Sequence, residues 1–137
     1  MVQYTTIVNA SLEKVWEQLI YKIENPENFV PGVSEVEIIE KTEKFVVRKM
    51  KITQESGTSI LKEKITFDPF KVRFLSLDHP SIEGFVDNDI LSISENETEM
   101  TFTINWIDRT TKTEINNFEM VKNAVLKTKK FIEETNC

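Results

Sequence analysis

The chain has 137 residues, 39% hydrophobic and 29% charged, which suits one globular domain over residues 1–137 with a sizeable core and leaves little length for a second. A net charge of -6, spread along the chain, excludes general electrostatic attraction to nucleic acid or to an anionic membrane. Cys137, the single cysteine, stands last, so no internal disulfide is expected; no basic leader or membrane-length apolar run is present, and the expected location is cytoplasmic.

Residues 2–9 alternate loosely around Tyr4, Ile7 and Val8, as a short strand does. Leu12, Val15, Trp16, Leu19, Ile20 and Ile23 then fall on one helical face, with Ser11 as N-cap and Glu13 in the first turn. Asn25-Pro26 ends this helix. A short helical turn over Glu27 to Phe29 is expected before Pro31-Gly32 redirects the chain. From Ser34 to Asp108 the period changes to two. Val36 and Ile38, Phe45 to Ile52, Ile60 to Phe67 and Met100 to Trp106 read as strands, punctuated by turns at hairpin spacing. Thr111 and Glu114 suggest a capping box that opens a long final helix, whose apolar stripe holds Phe118, Val121, Ala124, Val125, Thr128, Phe131 and Ile132. The sum is an α+β chain: about seven antiparallel strands curled around a long C-terminal helix, with one helix and a short helical turn after the first strand.

Two strands break their own pattern. Arg48 interrupts Val46-Arg48-Met50-Ile52, and Glu63 interrupts Leu61-Glu63-Ile65-Phe67, where an unpaired charge is costly. A turn at Gln54 to Gly57 sets Val46 against Ile65, Arg48 against Glu63 and Met50 against Leu61. A tight turn at Asp68 to Lys71 extends the register, with Phe67 facing Val72, Ile65 facing Phe74 and Glu63 facing Ser76. Arg48, Glu63 and Ser76 thus form a polar row across three strands, flanked by Val46, Met50, Leu61, Ile65 and Phe74. Lys49, Lys51, Lys62 and Lys64 occupy the opposite face, which marks the Arg48 face as the inner one. Such a row could hold a carboxylate, hydroxyl or carbonyl of a ligand, with Glu63 orienting the guanidinium; its plain alternative is an ion pair inside a wet core with no ligand.

The segment VWEQLIYKIENPENFVPGVSEVEIIE, the meander after it and the final amphipathic helix resemble the START-like (SRPBCC) superfamily, the Bet v-type helix-grip fold. The FVPGV turn, the VVRKM strand and the KEKITFDPFKVRF hairpin are most similar to the AtaL-like subfamily, of unknown function. The resemblance covers essentially the whole chain and carries no catalytic signature. It implies a deep hydrophobic pocket between the concave sheet and the last helix, lined by Phe74, Phe102, Trp106 and Phe118. Val121 and Val125 lie on the helix face that would look toward Arg48. Trp16 and Phe29 would belong to the helical lid or its base. Members of the superfamily bind lipids, sterols, polyketides or plant hormones, and some catalyse cyclisation or hydrolysis there.

Other candidates carry less. Asp87 and Asp89 face inward if the turn is Glu95 to Thr98, or outward if a bulge lies near Asn88; outward is the expectation, and without a histidine partner no metal site is expected. His79, in a loop beside Asp78, reads as an exposed loop histidine. Lys122 and Lys129 border the apolar arc of the last helix and read as lysines whose stems cover apolar surface. With three glycines and no strand-turn-helix serine elbow, neither a phosphate loop nor a serine nucleophile is expected. The expected function is binding of a small hydrophobic or amphipathic molecule without cofactor, oligomeric state undetermined. The alternatives are an enzyme acting on a polyketide-like or aromatic metabolite, and a protein-interaction module with an exposed apolar patch.

Overall fold

The computed structural model describes residues 1–28, 32–55 and 57–135. Expectations for Phe29, for Pro31 and for Cys137 lie outside the described residues. Strand β1 (Val2–Val8) leads into helix α1 (Leu12–Glu24). The Ser11 hydroxyl caps α1 by accepting from the Lys14 amide at 3.3 Å, and Val15, Leu19 and Ile23 bury the face that the spacing indicates. A single 3-10 turn (Pro26–Asn28) follows.

Six strands form the meander: β2 (Val33–Lys41), β3 (Phe45–Gln54), β4 (Gly57–Asp68), β5 (Lys71–Leu77), β6 (Ile82–Ser94) and β7 (Glu97–Asp108). The order β1-β7-β6-β5-β4-β3-β2 is antiparallel throughout, and two residues, Glu114–Ile115 (β8), add to β7 beyond this path. Helix α2 (Phe118–Thr135) packs on the concave face, over β1 and then β7, with α1 beside it toward β6. This is the helix-grip arrangement expected from the sequence. The buried core runs from Val15, Leu19 and Ile23 of α1 through Val46, Ile65, Phe74, Phe102 and Ile104 of the sheet to Val121, Val125 and Ile132 of α2.

The start of α2 corrects one expectation. Thr111 and Glu114 are not a capping box. Asp108 Oδ1 accepts from the amides of Thr110 and Thr111, and Lys112 adopts a φ of 62°, so the chain turns back and places Glu114 in β8. Asn117 caps α2 instead, its Oδ1 accepting from the Met120 amide at 3.1 Å. A side-chain oxygen three residues before an amide serves a turn as well as a helix, and here the strand ladder takes the TxxE stretch.

Gly84 matters for the inner face. Its φ of 123° lies where side chains are strained, and a Cβ there would collide with the Asn105 carbonyl. Gly84→Ala is expected to lower unfolding stability by about 1–3 kcal/mol, measurable as a lower urea midpoint at unchanged m-value.

Candidate functional site

The β3–β4 and β4–β5 pairings place Arg48 opposite Glu63 and Glu63 opposite Ser76, with Val46↔Ile65, Met50↔Leu61 and Ile65↔Phe74 on either side. The register therefore brings the three polar residues into one row. One step past the Leu75↔Phe85 pair, the β5–β6 register sets Ser76 level with Gly84, which pairs with Trp106. The row thus crosses β3 to β7 as Arg48, Glu63, Ser76, Gly84 and Trp106. Gly84 contributes no side chain, so Ser76 and Trp106 are the side chains of the row on either side of it.

Arg48 and Glu63 are 2% and 4% exposed. Arg48 Nε and Nη2 both donate to Glu63 Oε1, at 3.3 and 2.9 Å, while Nη1 donates to the carbonyls of Lys22 and Ile23, at 3.3 and 2.6 Å. These carbonyls end α1, where the helix has unsatisfied acceptors and partial negative charge. Arg48 is therefore first a clasp joining β3, β4 and the end of α1. Ser76 Oγ and Trp106 Nε1 are buried and have no hydrogen-bond partner among the described residues.

Two further residues, Lys22 of α1 and Asn88 of β6, extend the polar interior beyond the row. Lys22, 5% exposed, reaches inward from α1 and donates to Asn88 Oδ1 at 2.6 Å, with its ammonium 4.2 Å from the Phe102 ring centre and 5.1 Å from that of Phe74. Burial, reinforced by the Arg48 charge and opposed by that of Glu63, lowers Lys22 from the ordinary 10.5 to about 7. The signal for Lys22 was its spacing, seven residues after Val15 and three after Leu19, which puts it on the apolar face of α1. Asn88 carries the same signature as Arg48: it sits between Val86 and Ile90 at alternate positions of a strand.

The remaining expectations sort by face. Asp87 and Asp89 point outward as expected, but the cause differs. A two-residue turn pairs Ser94 with Glu97, and the bulge lies between Ser92 and Ser94, so Asp87 faces Thr103 and Asn88 faces Phe102. Asp87 then forms a two-point pair with Arg73, at 2.8 and 2.9 Å, which holds the guanidinium above its ordinary range, and Asp89 lies 3.7 Å from Lys71. His79 Nδ1 accepts from the amides of Ser81 and Ile82, so that nitrogen organises its loop. Trp16 packs edge-on against Phe70 at the β4–β5 turn. Lys129 ties α2 to β1 through the Ile7 carbonyl. Val121 and Val125 are buried in the core with Phe74 and Phe102. Phe118 is not buried: at the first turn of α2 it is 45% exposed, edge-on to Tyr4.

Two cavities among the described residues open on the surface. One of about 410 Å³ lies along α2 at Leu126, Lys129, Lys130, Glu133 and Glu134; one of about 310 Å³ lies by Glu24, Glu27 and Ser34 to Val36. Neither lies between the sheet and α2. Among the described residues no cluster of histidine, cysteine and carboxylate side chains is placed to hold a metal ion, and no helix is long and apolar enough to cross a membrane.

Solved structures share the fold. The Zhui aromatase/cyclase of Streptomyces sp. R1128 superposes with a TM-score of 0.77 at 15% identity, over 97% of this chain and 90% of that one. The di-domain ARO/CYC StfQ of the steffimycin biosynthetic pathway gives 0.74 at 13% identity, over 99% of this chain and 46% of that one. A START superfamily protein of Mycobacterium smegmatis gives 0.69 at 10% identity, over 98% of this chain and 94% of that one. These likenesses establish the START-like helix-grip fold. Comparison with curated proteins finds no match. The family model described as acetylaranotin biosynthesis cluster protein L matches residues 2–135, and the chain belongs to this AtaL family.

Proposed function

We propose that the protein binds a small hydrophobic or amphipathic molecule between the concave face of the sheet and α2. The observation that carries this reading is the pair of unpartnered buried groups, Ser76 Oγ and Trp106 Nε1, either side of the side-chain-free Gly84 in one inner-face row. Buried polar groups left without partners are uncommon in a core that serves stability alone, whereas polar atoms of a bound ligand would supply what both lack. In this reading Met50, Ile65, Phe74, Phe102, Val121 and Val125 supply apolar walls, Arg48 and Glu63 hold the floor rigid, and Ser76 and Trp106 orient the ligand. Phe118, exposed at the start of α2, would stand at the mouth.

Native mass spectrometry of the purified protein tests this, together with thermal shift against small aromatic and alkyl compounds. Bound mass, or a melting temperature that rises with ligand concentration, is expected. No retained mass and no shift for any compound would sink the proposal.

A second reading has an observation of its own. Lys22, Arg48 and Glu63 place an amine that titrates near neutrality beside a buried ion pair, an arrangement suited to acid-base work on a polyketide-like or aromatic metabolite, and aromatase/cyclases are among the solved proteins of this fold. Turnover that survives Lys22→Met, Glu63→Gln and Arg48→Met alike would eliminate it.

A further inference from the structure

We propose that the ligand of this interior is an acid, whose carboxylate, phenolate or enolate oxygen is received by the Lys22 ammonium and the Asn88 amide where the end of α1 meets β6. The inference rests on the interior-binding reading and adds the chemistry of the ligand's polar end.

The charges of the inner face do not balance among themselves. Lys22 and Arg48 can each carry a positive charge, and Glu63 is the one carboxylate buried beside them, since Asp87, also buried, is paired with Arg73 on the outer side of β6; Glu63 Oε1 already accepts from Arg48 twice. Among the described residues no carboxylate lies within ion-pair distance of Lys22. A charged lysine offers three donors, and here one meets an acceptor, Asn88 Oδ1, while two aromatic faces attract the charge without accepting N–H bonds in full. Asn88 is 1% exposed, and with its oxygen turned to Lys22 its amide nitrogen is left without a partner.

The unused capacity around Lys22 is therefore of one kind. Asn88 Nδ2 can only donate, and the Lys22 ammonium has donors to spare; Ser76 Oγ and Trp106 Nε1 lie farther along the sheet, Trp106 four residues beyond Phe102 on β7. An acceptor-rich, negatively charged group completes such a set; an amine or guanidine would face donors with nothing to give them. The groups that face Lys22 make the same point. Arg48 from β3 repels its charge and Glu63 from β4 attracts it, while β5, β6 and β7 present the neutral Phe74, Asn88 and Phe102. Burial holds Lys22 at about 7, so above that pH the empty protein carries mostly the neutral amine. An anion bound beside it would restore the ammonium, and acid binding should draw a proton from solvent.

Two matched pairs of probes test the proposal by titration calorimetry at about pH 8: naphthoic acid with naphthamide, and decanoic acid with decanamide. Each pair keeps the apolar body and changes the charge. The acid of at least one pair is expected to bind about tenfold or more tightly than its amide, as for a charge-assisted hydrogen bond, with proton uptake revealed by buffers of different ionisation enthalpy. Lys22→Gln should reduce the acid to the affinity of the amide and leave the amide unchanged. Asn88→Asp, which supplies the carboxylate internally and keeps Lys22, should abolish the acid preference too, so that the proposal stays testable if one variant fails to fold. Lys130→Met, at the surface cavity along α2, should leave the preference intact. Acid and amide binding alike, or a preference that persists in Lys22→Gln or disappears in Lys130→Met, would overturn the proposal. Binding of neither member of either pair would instead bring down the interior-binding reading, and this inference with it.

Discussion

Glu63→Ala is expected to lower the free energy of unfolding by about 3–5 kcal/mol, the largest effect of any single substitution considered, because it leaves the Arg48 guanidinium charged and buried without its counter-ion. Arg48→Met should cost about as much, since it strands Glu63 and also removes the donor that ends α1 at Lys22 and Ile23. The double variant Arg48→Met, Glu63→Leu should recover a large part of the loss, because two apolar groups of similar size replace the pair and no buried charge is left alone. The Ile23 carbonyl at the end of α1 still lacks its Arg48 donor in it, whereas that of Lys22 keeps the Asn25 amide, so recovery should be incomplete. Urea unfolding of the four proteins gives the coupling energy directly. Single-variant losses that simply add in the double variant would show that the two side chains do not act as a pair.

The second large effect is a pH dependence. The folded-state pKa of Lys22, about 7, lies below the ordinary lysine value of 10.5. Between these values the unfolded chain holds a proton that the folded chain has released, so stability should rise with pH through this window, by up to about 1.4 kcal/mol per unit. Below about pH 7 both states are protonated at Lys22 and its contribution is a constant burden. Lys22→Met removes the titrating group, and the difference in stability between wild type and variant should shrink or grow by that slope from pH 7 upward, while all other groups titrate alike in both proteins. The slope is the diagnostic, because the variant also leaves Asn88 Oδ1 unpartnered, a loss of about 1–3 kcal/mol that does not vary with pH. A wild-type minus variant difference that is flat across the window would place Lys22 in contact with water and outside the core.

Much of this architecture is legible in the sequence because period and register are local. Alternation in β3, β4 and β5, with short turns at Gln54 to Gly57 and Asp68 to Lys71, leaves one pairing that puts Val46, Met50, Leu61, Ile65, Val72 and Phe74 together on a buried face, and that pairing sets Arg48 against Glu63 and Glu63 against Ser76. The β6–β7 hairpin was less legible, because Glu95 to Thr98 accommodates more than one turn. A two-residue turn with a bulge at Ser92 to Ser94 shifts the register, and it is Asn88, rather than either aspartate beside it, that faces the core. Lys22 is a different failure of local reasoning. A basic residue in the last turn of a helix favours the negative end of the helix dipole, a sufficient reason for it on the surface, and only the packing of α1 over Phe74 and Phe102 turns it inward. The same applies to Arg48. Its opposite charge could be found in the strand pattern, whereas its bonds to the α1 carbonyls depend on where a helix twenty-odd residues earlier comes to rest.

These residues give the interior two functions that compete. Arg48 and Glu63 stabilise the junction of helix and sheet, and their hydrogen bonds are largely taken. Ser76, Trp106, Lys22 and Asn88 have capacity left, and it is on them that ligand binding turns. Trp106 offers the most direct test, because the protein has two tryptophans and hence two indole N–H resonances. Trp16 lies against Phe70 at the β4–β5 turn, whereas Trp106 Nε1 is buried without a partner in the inner-face row. On titration with naphthoic acid, followed by proton-nitrogen correlation spectra, the Trp106 indole resonance should shift saturably under the ring current of the bound naphthalene, while the Trp16 resonance moves little. An unmoved Trp106 resonance, with shifts confined to Leu126, Lys129 and Lys130 along the outer side of α2, would contradict an interior site.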